Sequence, residues 1–195
     1  MNYEQLFAKI VILNLGFIGV MEMSNSSLTV REALRFSNHD LLNHLHLIQM
    51  NLDLNRVAEA KDVIHEIAAQ CQMFSNANKI GLPKTVEWLQ TFKWRFPAIE
   101  FTLISDAEMS VNSKWDETIE QYLENTILHV YDTLDPYKQH FLQTTIVSKN
   151  GECTIDVKLD GRWQLNPIEK MNTNLTIITN VCTDESWHYV LSIKE

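Results

Sequence analysis

Glycine is scarce in this chain: there are five in 195 residues, and only Gly151 and Gly161 lie beyond residue 120. Loops that wrap nucleotide phosphates need several glycines for close backbone approach, so the second half offers little for a phosphate-cradling lid. Positive charge is also short, with 16 Lys and Arg against 25 Asp and Glu and a net charge of −9. That balance excludes unspecific binding to nucleic acid, which needs clustered cations to displace counterions. Cysteine is limited to Cys71, Cys153 and Cys182, with no C-x-x-C pair. An odd, scattered set builds neither a disulfide framework nor a zinc knuckle, and the expectation is reduced thiols packed as small buried hydrophobes. A bilayer crossing needs about 20 mostly apolar residues, and the apolar stretch Ile10–Met21 falls short of that. Glu4 and Met21-Glu22-Met23 occupy the places where a secretory signal carries a basic leader and a small-residue cleavage site. Residues 1–28 are therefore expected to form a short packed or capping helix, and the protein to be cytoplasmic, although Gly16 and Gly19 weaken any helix there.

What is present is a core-forming composition, 45% apolar, divided between two periodicities. Thr29 with Glu32 forms a capping-box pattern, which predicts a long helix starting near residue 29. Leu34, Asn38, Leu41, Leu45, Ile48 and Leu52 then recur at alternating steps of four and three, the spacing of a seam between packed helices. Asn51 to Arg56 supplies the polar residues of a tight connection. A second helix from about Val57 carries Ala60, Ile64, Ile67, Cys71 and Phe74 on one face, and the stretch from Ser75 to Pro83 ends it. Such a hairpin, residues 29–81, cannot cover both sides of its own apolar stripe, and two copies packed as a four-helix bundle solve that. Met50 and Met73, like Met21 and Met23, are expected to fill gaps.

Residues 82–195 switch pattern. Thr85 to Phe96 reads as a helix with Val86, Leu89, Phe92 and Trp94 giving it bulk, and Ile99 to Ile104 alternates like a strand. Ser113 with Asp116 predicts another capping box, opening a helix through to Tyr131. His140 to Ser148, the Lys149-Asn150-Gly151 turn and Glu152 to Leu159 give a hairpin, since Asn-Gly tolerates the positive φ such turns require. Asn174 to Cys182 and Trp187 to Ile193 predict a last pair of strands. The fold class is α+β: a helical hairpin followed by an α/β sandwich.

The chemistry concentrates on the first helix. His39 lies one position off the seam, and at about 100° per residue Arg35, His39, Asn43 and His46 share a stripe beside the apolar face. An imidazole there can meet a partner from solvent, and near neutral pH it is a nucleophile able to exchange a phosphoryl group with an acyl phosphate. Asp40 is placed to fix the tautomer of the neighbouring ring or to favour its charged form. Asn43 and Arg35, one turn below and above His39, are suited to a partner or to the moving phosphate, and Leu42 and His46 complete the contact-forming set. His65, His129, His140 and His188 are isolated and read as structural.

The run Leu34-Arg35-Phe36-Ser37-Asn38-His39-Asp40-Leu41-Leu42-Asn43-His44-Leu45-His46-Leu47-Ile48, followed by Asn51-Leu52-Asp53-Leu54 and Ala60, resembles the phosphoacceptor hairpin of the sporulation initiation phosphotransferase family of the bacterial phosphorelay. Citrate- and dicarboxylate-type sensor kinases carry a similar pattern. The continuation Phe74-Ser75-Asn76 to Leu89-Gln90-Thr91-Phe92-Lys93-Trp94 also looks like the phosphotransferase, and the similarity covers about residues 33–104. The resemblance implies a homodimer that passes phosphoryl groups between two response regulators through a phosphohistidine, with His39 as the acceptor. It implies a C-terminal domain built like a degenerate histidine-kinase ATP-binding domain, with no cofactor held by this chain and Mg2+ supplied by the regulator.

The rival is an ATP-dependent histidine kinase. Leu123-Glu124-Asn125 resembles the Glu-Asn pair with which kinase domains hold magnesium, and Asp160-Gly161 follows a strand as the first nucleotide-contacting acid does there. The missing glycines, and bulky Trp163 where another would be wanted, make Glu124-Asn125 a helix-surface remnant on this reading. A third reading is a non-catalytic dimeric scaffold.

Overall fold

The computed structural model describes residues 28–165 and 175–194, and the expected N-terminal helix of residues 1–28 lies outside them save for Leu28. Helix α1, Val30–Asp53, opens with the predicted capping box. The Thr29 hydroxyl accepts from the Glu32 N–H while the Glu32 carboxylate accepts from the Thr29 N–H. It ends where Asn55 takes the left-handed conformation (φ 57°), a role Asn fills at helix C-termini. The Arg56 N–H donates to the Asn51 carbonyl, closing the connection to helix α2, Val57–Ala77. A 3-10 turn, Asn78–Ile80, and left-handed Gly81 (φ 74°) lead into helix α3, Pro83–Arg95, with proline at its first turn.

Strand β1, Glu100–Ala107, is followed by a 3-10 turn, Ser113–Trp115, and helix α4, Asp116–Tyr131. Strands β2, Phe141–Lys149, and β3, Glu152–Asp160, form the predicted hairpin, with Asn150 (φ 53°) and Gly151 (φ 82°) at its turn. Strands β4, Thr176–Cys182, and β5, Ser186–Lys194, complete a five-stranded sheet in the order β1-β2-β3-β5-β4. β1 and β2 run parallel, and the other pairs are antiparallel. Helices α3 and α4 cover one face, where Leu89, Phe92, Ile119 and Leu123 meet Leu142, Ile155, Trp187 and Leu191 in one core. The alternation of buried and exposed residues along β2 and β3 is the signature of a sheet with one face solvated. The architecture is α+β, as expected.

The hairpin is fastened to this layer at the sheet margin. The Ser105 N–H in β1 donates to the Met73 sulfur, and the Ser105 carbonyl accepts from the Asn76 amide, so α2 side chains satisfy part of an otherwise open edge.

Three local expectations change. Asp116 does not pair with Ser113 in a capping box. Its carboxylate reaches back to accept from the Lys84 and Thr85 N–H groups, capping α3 rather than α4, while the Asn112 side chain caps the 3-10 turn. Cys71 is exposed, unlike buried Cys153, whose thiol burial pushes up to about 11. Met50 is likewise exposed rather than filling a gap. Among the described residues, no helix is long and apolar enough to cross a membrane.

Candidate functional site

The site is built on the middle of α1. Phe36, Asp40, His44, Ile48 and Asn51 recur at threes and fours on the face turned toward the rest of the chain, and all are at least partly buried. Of the predicted seam, Ile48 is half-buried on that face, while the leucines lie on a different one. Leu34, Leu41, Leu45 and Leu52 are each between 49% and 59% exposed, so the described residues leave them open. Leu42 is as exposed, and Val57 and Ile64 of α2 add to the open apolar surface. Arg35, His39, Asn43 and His46 are exposed on the adjoining stripe.

His39 points outward, its side chain 61% exposed. Its Nδ1 has two neighbours. The Asn43 side-chain amide nitrogen lies 3.2 Å away, one turn along the helix, and Asp40 Oδ1 lies 3.6 Å away. These neighbours favour different forms of the ring. An amide N–H donating to Nδ1 requires the Nε2-protonated tautomer, whereas the carboxylate favours a proton on Nδ1. Among the described residues, Nε2 has no hydrogen-bond partner.

Asp40 is less exposed, at 29%, and belongs to two groups at once. Its Oδ2 receives the Lys93 ammonium at 2.5 Å and the Trp94 indole N–H at 3.1 Å, both from the end of α3. Burial pushes the Asp40 carboxyl up. The hydrogen bonds from Lys93 and Trp94, the Lys93 charge and the contact with His39 outweigh that, and the net shift is down from 3.8. The carboxylate thus stays ionised as an acceptor beside the ring. The aromatic groups continue the link: Trp94 stacks on Phe36 at 5.9 Å, and the Arg35 guanidinium lies 5.0 Å over Phe36. Arg35 therefore sits against its own neighbour, one turn from His39, and is exposed.

In the sequence Trp94 is legible only as helix bulk, and Lys93 only as part of the run that resembles the phosphotransferase. The signal was present, because Trp94 falls off the Val86, Leu89, Phe92, Phe96 stripe, and an aromatic off the core stripe of a helix marks a second contact.

Two of the features that suggest nucleotide binding, Glu124 and Gly161, have other employment. Glu124 is not a surface remnant. Its carboxylate accepts from the Trp88 indole at 2.6 Å through one oxygen and pairs with Arg95 through the other, with only 15% of the side chain exposed. Asn125 is exposed. Gly161 lies against His140, and a Cβ there would fall 2.3 Å from His140 Cδ2, so packing alone requires glycine. His140 itself is buried and bonded to the Arg162 carbonyl, and His188 pairs with Asp156 at 3.2 Å. Among the described residues, no group of three His, Cys, Asp or Glu is arranged to hold a metal ion.

Residues 21–80 match the family model of the sensor kinase SpoOB-type alpha-helical domain, which bears out the resemblance seen in the hairpin. No curated protein matches. Among solved structures, the Acinetobacter baumannii histidine kinase AdeS is 10% identical at a TM-score of 0.42, over 80% of this chain and 97% of that one. The Erythrobacter litoralis blue-light activated histidine kinase EL346 is 12% identical at a TM-score of 0.43, over 89% of this chain and 62% of that one.

Proposed function

We propose that this protein is a histidine phosphotransferase, relaying phosphoryl groups between the aspartates of two response regulators through His39, in a phosphorelay of the kind that initiates sporulation. The observation that carries the reading is the outward imidazole of His39 on a SpoOB-type hairpin, held through Nδ1 beside an ionised carboxylate while Nε2 stays open to solvent. In the forward step the Nε2 lone pair attacks the phosphorus of a regulator's aspartyl phosphate. A P–N bond forms, the acyl P–O bond breaks, and the aspartate leaves as a carboxylate. Nδ1 keeps its proton, so the phosphohistidine is activated for transfer to the second regulator's aspartate by the reverse bond changes. Little covalent work falls to the protein, because positioning and charge compensation dominate phosphoryl transfer. Mg2+ is assigned to the regulator's acidic pocket, with Arg35, Asn43, Leu42 and His46 contacting the regulator or the phosphate.

The working form is a cytoplasmic homodimer. The uncovered leucines of α1 lie beside the His39 stripe, and a second hairpin packed on them completes a four-helix bundle with the histidines at its rim. Residues 29–81 act as the dimerisation and acceptor domain and residues 82–195 as a kinase-like domain without nucleotide. The employment of Glu124 and Gly161 in packing supports the relay over the ATP-dependent kinase.

The test uses purified chain and response regulators. Label from a phosphorylated regulator should appear on the chain and then on a second regulator, and His39→Ala should abolish both while leaving the dimer intact. Transfer retained in that variant defeats the assignment, and label acquired directly from ATP makes the protein a kinase.

A further inference from the structure

Both donors from α3 fall on one oxygen of Asp40. Lys93 and Trp94 occupy Oδ2, which leaves Oδ1 as the oxygen turned toward His39 Nδ1. A carboxylate on a helix surface ordinarily rotates and is solvated. This one is pinned from a different part of the chain, 53 and 54 positions along, and the pin is braced by the Trp94–Phe36 stack.

We infer that Lys93 and Trp94 are positioning residues for the acceptor histidine: by holding Asp40 through Oδ2 they present Oδ1 to Nδ1, keep the proton on that nitrogen, and leave Nε2 unprotonated toward the incoming phosphoryl group. The inference deepens the relay reading and rests on it for the last step, but its first step is independent of any transfer. It depends on the competition at Nδ1. Asn43 favours the tautomer in which Nε2 carries the proton and has no lone pair to offer, and the Asp40 carboxylate favours the reactive one. Loosening Asp40 concedes the ring to Asn43. The α/β layer thereby acts on the acceptor without touching it, as outer-shell carboxylates fix the tautomer of histidines elsewhere.

The variants separate this from a merely structural role. Trp94→Phe retains the stack on Phe36 and loses the indole donor. Lys93→Met retains the aliphatic stem and loses the charge. Lys93→Arg keeps a cationic donor. With 15N-labelled histidine in the full-length chain, the His39 ring should show the Nδ1-protonated pattern in the parent. It should shift toward the Nε2-protonated pattern in the Lys93→Met/Trp94→Phe double variant and stay near the parent in Lys93→Arg. Phosphoryl uptake by the double variant should slow by about tenfold or more, the order seen when outer-shell partners are removed. An Nε2-protonated ring in the parent, or an unchanged ring in the double variant, overturns the inference even if transfer is normal. A ring that shifts as expected in a protein that accepts no phosphoryl group from any regulator upholds the positioning and defeats the relay.

Discussion

Leu45→Asp tests the assembly on which the proposed relay depends. Leu45 is 50% exposed in the single chain, so covering the remainder contributes about half of a fully buried leucine, ~1 kcal/mol per copy. An unpaired carboxylate placed against a partner's leucines costs ~3 kcal/mol more in each copy. A two-fold interface counts every change twice, so the dimer loses ~8 kcal/mol, equivalent to a rise in Kd of more than about 100,000-fold. Water reaching the carboxylate and halving its penalty still leaves ~5 kcal/mol, about a few thousandfold. Leu45→Ala removes the burial without the charge and should raise Kd about 30-fold. Sedimentation at micromolar concentration reads both, with Val181→Asp as a control, because Val181 is also exposed but lies on β4, at the sheet edge opposite the one fastened to the hairpin. The Asp variant should run as a monomer and fail to relay, and the control should remain a dimer. A Leu45→Asp protein with the parent's Kd, or a control that dissociates in its place, refutes the bundle.

Two further outcomes follow from the packing. Asp40 has a depressed carboxyl value, so its pairing with Lys93 and Trp94 stabilises the fold above the ordinary 3.8 and is lost as pH falls through the lower folded value. Asp40→Asn should therefore melt below the parent in neutral buffer, with the gap closing in that acid window, and an equal gap at both pH values would contradict the pairing. Gly161→Ala puts a methyl group 2.3 Å from His140 Cδ2 and should cost ~1–3 kcal/mol in urea unfolding. Adding His140→Ala should recover part of that loss, whereas an unchanged midpoint in the single variant would show that the contact yields freely.

Elements whose determinants are local were legible in the sequence. The Thr29–Glu32 box, the Asn150-Gly151 turn and the alternation in β2 and β3 each depend on residues a few positions apart, and each appears in place. Misreadings came where a local pattern had a distant partner. Ser113-x-x-Asp116 has the form of a capping box, yet the Asp116 carboxylate serves the Lys84 and Thr85 N–H groups of another helix. Glu124 has the form of a helix-surface acid until Arg95 and Trp88 are brought beside it. Periodicity identified the leucine seam of α1 but could not say what covers it, because a repeat records only that a face is apolar. The candidate site divides the same way. His39 and Asn43 meet across one helical turn, which spacing alone predicts, whereas the Lys93 and Trp94 contacts with Asp40 depend on tertiary packing.

The two fastenings of the hairpin lie at different heights. One joins the waist of α1 to the end of α3, and the other joins the foot of α2 to the rim of the sheet. Turning the hairpin about either fastening means breaking the other. In the proposed relay the α/β layer stays fastened to the hairpin on both sides of the acceptor, and the phosphoryl group arrives on another molecule.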